Sequence, residues 1–203
     1  MIFKAIMIIT SLLPLLSECQ SLIVNVEKRA CHRVDKIEGA KLYIHLQTGL
    51  QDITSDFDYG LEHLINLPDT VKLKIISELL SFKNDTTLCC LKVMDRSFNG
   101  IEGCSGHPDT VERYTIQIDA LFMINRLCWP HMMELFSCVP VVYDNQTHQC
   151  VNDDPQKVLL LFDDYLKWFD QCSKNKRIGR YFPFNDGRYV WFGGRKSIVS
   201  KNQ

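Results

Sequence analysis

The chain has 203 residues and a formal net charge of −1 at pH 7. This near-neutral balance gives no reason to expect nucleic acid as a partner, and the length suits one domain better than two. The charge is unevenly spread, because the segment from Lys174 to the end holds eight Lys and Arg residues against one acid, Asp186.

The first nineteen residues predict a secretory signal peptide. One basic residue, Lys4, is followed by a mostly apolar stretch and then by short polar residues. This order is typical of a signal peptide, and the small residues Ser17 and Cys19 place the cut before Gln20. The alternative is a membrane anchor, which would need about 20 apolar residues. Removal of residues 1–19 would leave a mature chain of 184 residues (203 minus 19).

Eight cysteines would remain in the mature chain, and an even number in an exported protein predicts a disulfide framework. They are Cys31, Cys89, Cys90, Cys104, Cys128, Cys138, Cys150 and Cys172. Four bridges can connect eight cysteines in roughly a hundred ways, so the pairing stays open. A zinc site is the rival interpretation, but the chain has neither a Cys-x-x-Cys nor a His-x-x-x-His pair. We therefore expect no metal and no cofactor.

Two Asn-x-Thr triplets, at Asn84 and Asn145, fall in polar connectors and predict N-glycosylation. With the signal peptide and the cysteines, they predict a secreted, extracellular glycoprotein. No later segment is apolar enough to cross a bilayer, so we expect no stable membrane insertion.

Apolar periodicity predicts a mainly α fold: one disulfide-stapled domain over residues 20–174 with about six or seven helices. The clearest stripe is Val71, Ile75, Leu79 and Phe82, and a long one follows Pro155. Further helices are predicted at residues 33–50, 58–65, 86–98, 109–127 and 130–136. Residues 175–203 form a basic aromatic tail, with a short hairpin predicted from Arg180 to Phe192 around the turn Asn185-Asp186-Gly187.

The word Pro-Asp-Thr-Val occurs twice, at residues 68–71 and 108–111. Proline suits the first position of a helix, and the acid after it favours the positive end of the helix dipole. We interpret both copies as helix starts. A decayed duplication with a forty-residue period and a functional site are the alternatives.

The tail is the predicted binding surface, since it combines cations with aromatic rings. Its candidate residues are Arg180, Tyr181, Arg188, Tyr189 and Trp191. The rival interpretation, which we prefer slightly, is that the aromatic side chains simply cover one end of the helical domain. A further alternative is a peptide precursor, because Lys176-Arg177 and Arg195-Lys196 are dibasic pairs that bracket the tail.

The sequence shows no signature of catalysis. Its six histidines are scattered, and no nucleophile or phosphate-binding motif occurs. We therefore expect a protein that is not an enzyme and that binds a protein partner or receptor outside the cell. The alternative is a carrier of a small apolar ligand, which would need an enclosed apolar cavity. A third is an enzyme whose site assembles only in the fold.

Overall fold

A computed structural model describes residues 22–32, 38–48, 51–56, 64–93, 111–129, 139–179, 183–184 and 186–192. The predicted signal peptide lies outside these ranges, as do most of the helix predicted at residues 58–65 and all of the one at 130–136.

Three antiparallel strands form the first sheet: β1 (Ile23–His32), β2 (Glu38–Thr48) and β3 (Gln51–Asp56), in the order β1-β2-β3. The helix predicted over residues 33–50 is therefore wrong for its described part. The reason is visible in the sequence, because Leu42, Ile44 and Leu46 alternate at a spacing of two and all three are buried. That spacing places them on one face of a strand.

Three helices accompany this sheet: α1 (Asp69–Leu80), α2 (Ile116–Cys128) and α3 (Pro155–Asn175). Helices α1 and α2 pack on its buried face, and α3 packs on both of these helices. The predictions of α1 and α3 are confirmed. At the start of α3 the Asp154 side chain accepts hydrogen bonds from the backbone N–H groups of Gln156 and Lys157. The mainly α class is wrong, because the described residues hold these three helices and two antiparallel sheets.

Leu88 and Cys89 form isolated β-bridges, and residues 86–93 contain no α-helix, so the helix predicted at 86–98 is also wrong over its described part. The segment runs beside β2: the Ala40 N–H donates to Leu88 O at 2.9 Å, and the Cys90 N–H donates to Ala40 O at 3.0 Å. Gly39 permits this approach. A Cβ atom there would lie 2.9 Å from Leu88 O and 3.0 Å from Cys90 N, closer than backbone atoms tolerate.

The two copies of Pro-Asp-Thr-Val differ in the residues that the structure describes. Pro68 immediately precedes α1, as predicted. In the second copy Val111 enters an extended segment instead, where the Cys89 N–H donates to Tyr114 O at 2.8 Å. Helix α2 begins later, at Ile116, and Thr115 caps it in an extended conformation. The helix start predicted at the second copy is therefore wrong for its described residue, Val111, while residues 108–110 lie outside the described ranges.

A second small sheet joins the tail to the body. Its strands are β4 (Val142–Asp144), β5 (Gln149–Cys150) and β6 (Tyr189–Trp191), in the order β5-β4-β6. The partner of β6 is β4, with Tyr189 opposite Asp144 and Trp191 opposite Val142. The local hairpin predicted for residues 180–192 is thus replaced, in its described part, by pairing with a distant strand.

Candidate functional site

The first sheet presents a polar face on the side away from the helices. Its register places Asn25 opposite His45 and His45 opposite Thr54, so three strands contribute side chains to one row. We call this surface the outer face. It comprises Ile23, Asn25, Glu27, Arg29, Tyr43, His45, Gln47, Asp52 and Thr54.

The outer face holds an open groove of about 390 Å³. All outer-face residues except Tyr43 line it, and most of them are exposed. Ile23 is 55% exposed and contributes an apolar rim to an otherwise polar surface. Helices α1 and α2 pack on the opposite face of the sheet, where Val26, Leu42 and Ile44 are buried.

A hydrogen-bonded network fixes the centre of the groove. Nε of Arg29 donates to Oε2 of Glu27 at 3.0 Å, and the Arg29 Nη2 atom lies 2.9 Å from the same oxygen. Nε2 of His45 lies 3.2 Å from both Arg29 Nη2 and Glu27 Oε2, while its Nδ1 lies 2.9 Å from Thr54 Oγ1. The network therefore joins all three strands through side chains.

Electrostatics keep the acid and the guanidinium of this network ionised. The hydrogen bond from Arg29 lowers the pKa of Glu27, and the same contact raises the pKa of Arg29. The guanidinium carbon also lies 4.9 Å from the centre of the Tyr43 ring, a cation–π contact. Arg29 is thus held in place by one carboxylate and one aromatic ring.

The imidazole can arrange its protons in more than one way. When Nδ1 carries the proton and donates to Thr54, Nε2 is an acceptor and can take a hydrogen bond from Arg29. When Nε2 carries a proton it donates to Glu27 instead. The groove therefore offers both donors and acceptors to a ligand without moving its backbone.

This site was not predicted from the sequence, because the histidines are scattered along the chain and residues 33–50 were expected to form a helix. A signal was available, since the polar residues Asn25 and Glu27 alternate with the apolar residues Val24 and Val26 at the spacing of a strand with one polar face.

The prediction of disulfide bonding is confirmed by one bond, between Cys31 of β1 and Cys90, a pairing that the sequence had left open. Cys128, Cys150 and Cys172 are thiols, and burial raises the pKa of each. Cys89 lies buried beside β2. Cys104 and Cys138 lie outside the described residues, and the further bridges of the predicted framework that would require Cys128, Cys150 or Cys172 are not formed in this structure.

The predicted tail surface is divided by the structure. Arg188 is exposed, but Tyr189 and Trp191 are only 3% and 1% exposed and belong to the core. Nε1 of Trp191 donates to the Tyr165 hydroxyl at 3.1 Å. Arg180 and Tyr181 lie outside the described residues. In this structure two of the five candidate residues are thus unavailable to a partner.

The predicted glycosylation sites lie in two different turns. Asn84 follows α1 and is exposed, whereas Asn145 connects β4 to β5 and is half-buried. Within the described ranges no cluster of three His, Cys, Asp or Glu side chains could hold a metal ion. No described helix is long and apolar enough to cross a membrane.

Comparisons of the chain with protein-family models, with curated proteins and with solved structures found no match.

Proposed function

We propose that the protein is secreted and acts by binding a protein partner through the outer face. The groove carries this proposal, because it gathers ionised and hydrogen-bonding side chains from three strands on an open surface. Glu27 and Arg29 hold each other in position. These two side chains would therefore lose less conformational freedom when a partner binds than mobile charged side chains would.

Export is supported by the Cys31–Cys90 bridge, since disulfides persist mainly in oxidising compartments. The bridge joins β1 to the segment beside β2. It therefore lies in the same sheet as the groove and helps to hold the strands that form the outer face.

The carrier alternative is weakened by the packing of the aromatic side chains. A carrier needs an enclosed apolar cavity among the last helix and the tail. There the Phe184 ring centre lies 5.4 Å from that of Tyr165 and 6.2 Å from that of Trp191, and Trp168 lies 5.3 Å from Trp129. These rings fill the space that an apolar ligand would occupy.

The peptide-precursor alternative is weakened by the same packing. Cleavage after Lys176-Arg177 would detach β6 from the body. Phe184, Tyr189 and Trp191 would then leave the core, although each is at most 4% exposed. The described part of the tail is thus a structural element of the domain.

Site-specific photocrosslinking tests the binding proposal. The photoreactive residue p-benzoylphenylalanine is placed at Gln47 on the outer face and, as a control, at Asp170 on the exposed side of α3. The secreted chain is irradiated on the surface of living cells. We expect discrete protein adducts from position 47 and none from position 170. Equal adducts from both positions would refute the outer face as the binding surface.

Two arginines provide a matched pair of variants for the same assay. Arg29 lies 4.9 Å from the Tyr43 ring centre and Arg188 lies 5.1 Å from that of Tyr189, so both are exposed cations over an aromatic ring. We expect Arg29→Ala to reduce the adduct yield about tenfold, a loss of about 1.4 kcal/mol. Arg188→Ala should leave the yield unchanged. The reverse result would favour the tail over the outer face.

One observation favours an enzyme as a second candidate. Thr54, His45 and Glu27 form a hydroxyl–imidazole–carboxylate chain, the arrangement that activates nucleophiles in acyl transfer. Two features oppose a catalytic role. Arg29 already binds the Glu27 carboxylate. The central strand β2 uses its backbone N–H groups in hydrogen bonds to both neighbouring strands, so few backbone donors remain to stabilise an oxyanion.

Hydrolysis of p-nitrophenyl acetate by the purified chain decides this second candidate. An enzyme would lose the activity on Thr54→Val, which keeps the shape and removes the hydroxyl. If the wild-type chain hydrolyses the ester no faster than the Thr54→Val variant, the enzyme candidate is eliminated.

A further inference from the structure

The two predicted glycosylation sites have different surroundings, and Asn84 is the open one. It ends the turn after α1 with φ of 74°, a left-handed conformation that asparagine adopts more readily than most residues. Asn84 and Thr86 are exposed and line a shallow depression of about 590 Å³. Among the described residues the Asn84 amide group has no hydrogen-bond partner, and the residue is exposed.

Asn145 is engaged with the tail. Its side-chain Nδ2 donates to Gly187 O at 3.0 Å, and its backbone N–H donates to Arg188 O at 2.7 Å. Gly187 has φ of 72° and lies two residues before the first residue of β6, Tyr189. The two hydrogen bonds of Asn145 therefore continue the ladder between β4 and β6 by one step beyond the Asp144–Tyr189 pair.

Glycan transfer uses the same atom that makes the contact with Gly187. The reaction forms a bond between the asparagine Nδ2 and the first carbon of the sugar. The bond from that carbon to the pyrophosphate of a lipid-linked donor breaks, the lipid pyrophosphate leaves with the electron pair, and Nδ2 loses one proton. At Asn84 the new sugar would enter solvent. At Asn145 it would be attached to an atom 3.0 Å from the backbone that leads into β6.

We infer that Asn84 is the residue that carries the N-glycan, and that Asn145 has a structural role instead: it fastens β6 to β4. The inference rests on the export that is part of the proposed function. A glycan on Asn145 would compete with docking of β6, whose Trp191 is 1% exposed in the core. The second triplet is thus a structural turn whose sequence matches a glycosylation signal.

Removal of each threonine tests the glycan assignment without changing either asparagine. The wild-type chain, Thr86→Ala and Thr147→Ala are expressed in eukaryotic cells, and intact masses are compared before and after treatment with a peptide-N-glycosidase. Both threonines are exposed, so neither change should disturb folding. We expect one glycan on the wild type, one on Thr147→Ala and none on Thr86→Ala.

A glycan on Thr86→Ala, or two glycans on the wild type, would overturn the assignment. A chain with no glycan at all would overturn it as well. A chain that carries the Asn84 glycan but stays inside the cells would contradict export alone, so the two failures can be told apart.

The structural role of Asn145 is tested by thermal unfolding of the deglycosylated protein. Asn145→Ala removes the hydrogen bond to Gly187 and should lower Tm by about 2–4 °C. The control is Asn84→Gly, because glycine tolerates the positive φ of that position, and it should leave Tm unchanged. Equal Tm values for Asn145→Ala and the wild type would overturn the structural role.

Discussion

Replacement of Tyr165 by phenylalanine removes one hydroxyl group from the centre of the core. That hydroxyl donates to Asn125 Oδ1 at 2.6 Å and accepts from Trp191 Nε1 at 3.1 Å, so it connects α2, α3 and β6. All three residues are at most 1% exposed. The variant would therefore leave one acceptor and one donor buried without this partner, and water could not replace it without opening the core.

The magnitude follows from these two contacts. A buried polar atom that loses its partner costs about 1–3 kcal/mol, so two such atoms predict a loss of about 3 kcal/mol in the free energy of unfolding. For a domain of this size, about 2–4 °C in Tm corresponds to each kcal/mol, which predicts a decrease of about 6–12 °C. Differential scanning calorimetry measures both quantities.

Tyr189 supplies a matched control, because its hydroxyl is buried and lacks a hydrogen-bond partner among the described residues. Tyr189→Phe removes the same atom from a buried tyrosine without breaking a contact, and Tm should stay the same or rise slightly. If the two variants lowered Tm equally, or if Tyr165→Phe cost less than about 1 kcal/mol, the hydroxyl network would not hold the three elements together.

Three further predictions concern the sheets. Joint replacement of Cys31 and Cys90 by serine opens a link between residues 59 apart and should cost up to about 4 kcal/mol in urea unfolding, mainly through the entropy of the unfolded chain; a loss below about 1 kcal/mol would contradict this account. Gly39→Ala should lower Tm more than Gly187→Ala, because a Cβ at Gly39 meets backbone atoms whereas one at Gly187 meets nothing within 4 Å and adds only backbone strain; the opposite order in a thermal melt would be inconsistent with the close approach of residues 88–90. The hydrogen bond from the Gln146 N–H, together with Lys157, lowers the pKa of Asp144 below 3.8. The contribution of Asp144 to the free energy of unfolding is therefore present above that value and is lost as pH falls through the folded pKa. Asp144→Asn should make the free energy of unfolding less dependent on pH below pH 3.8, and an unchanged pH dependence would argue against this account.

Helices α1 and α3 were predictable because their signals are local. Each has an apolar stripe at helical spacing, and each begins at a proline, Pro68 or Pro155. A helix closes its backbone hydrogen bonds within its own segment. Its sequence therefore carries most of the information that specifies it.

The extended segments were mistaken for helices because their hydrogen bonds lie elsewhere in the chain. Residues 88–93 contain apolar side chains at spacings that also suit a helix. Their backbone groups pair instead with Ala40, Tyr114 and Glu112. Periodicity in a short window cannot identify such partners, and here tertiary pairing overrides local preference.

The outer face shows the same limit for a functional site. Glu27, His45 and Thr54 meet only because β2 pairs with β1 on one side and β3 on the other. Each residue alone is an ordinary polar residue in a loosely patterned stretch. The groove could not be assembled before the register of three strands was known.

By itself, the sequence determined two helices with their starting points, and it predicted disulfide bonds without deciding which cysteines pair; the Cys31–Cys90 bond came from the structure. Only the tertiary structure decided that residues 38–48 form a strand, that β6 pairs with β4, and that Tyr189 and Trp191 lie in the core. The physical reason is that a helix satisfies its backbone internally, whereas a strand depends on partners distant in sequence. The candidate site stands on strands, so the fold had to be known before the site could be found.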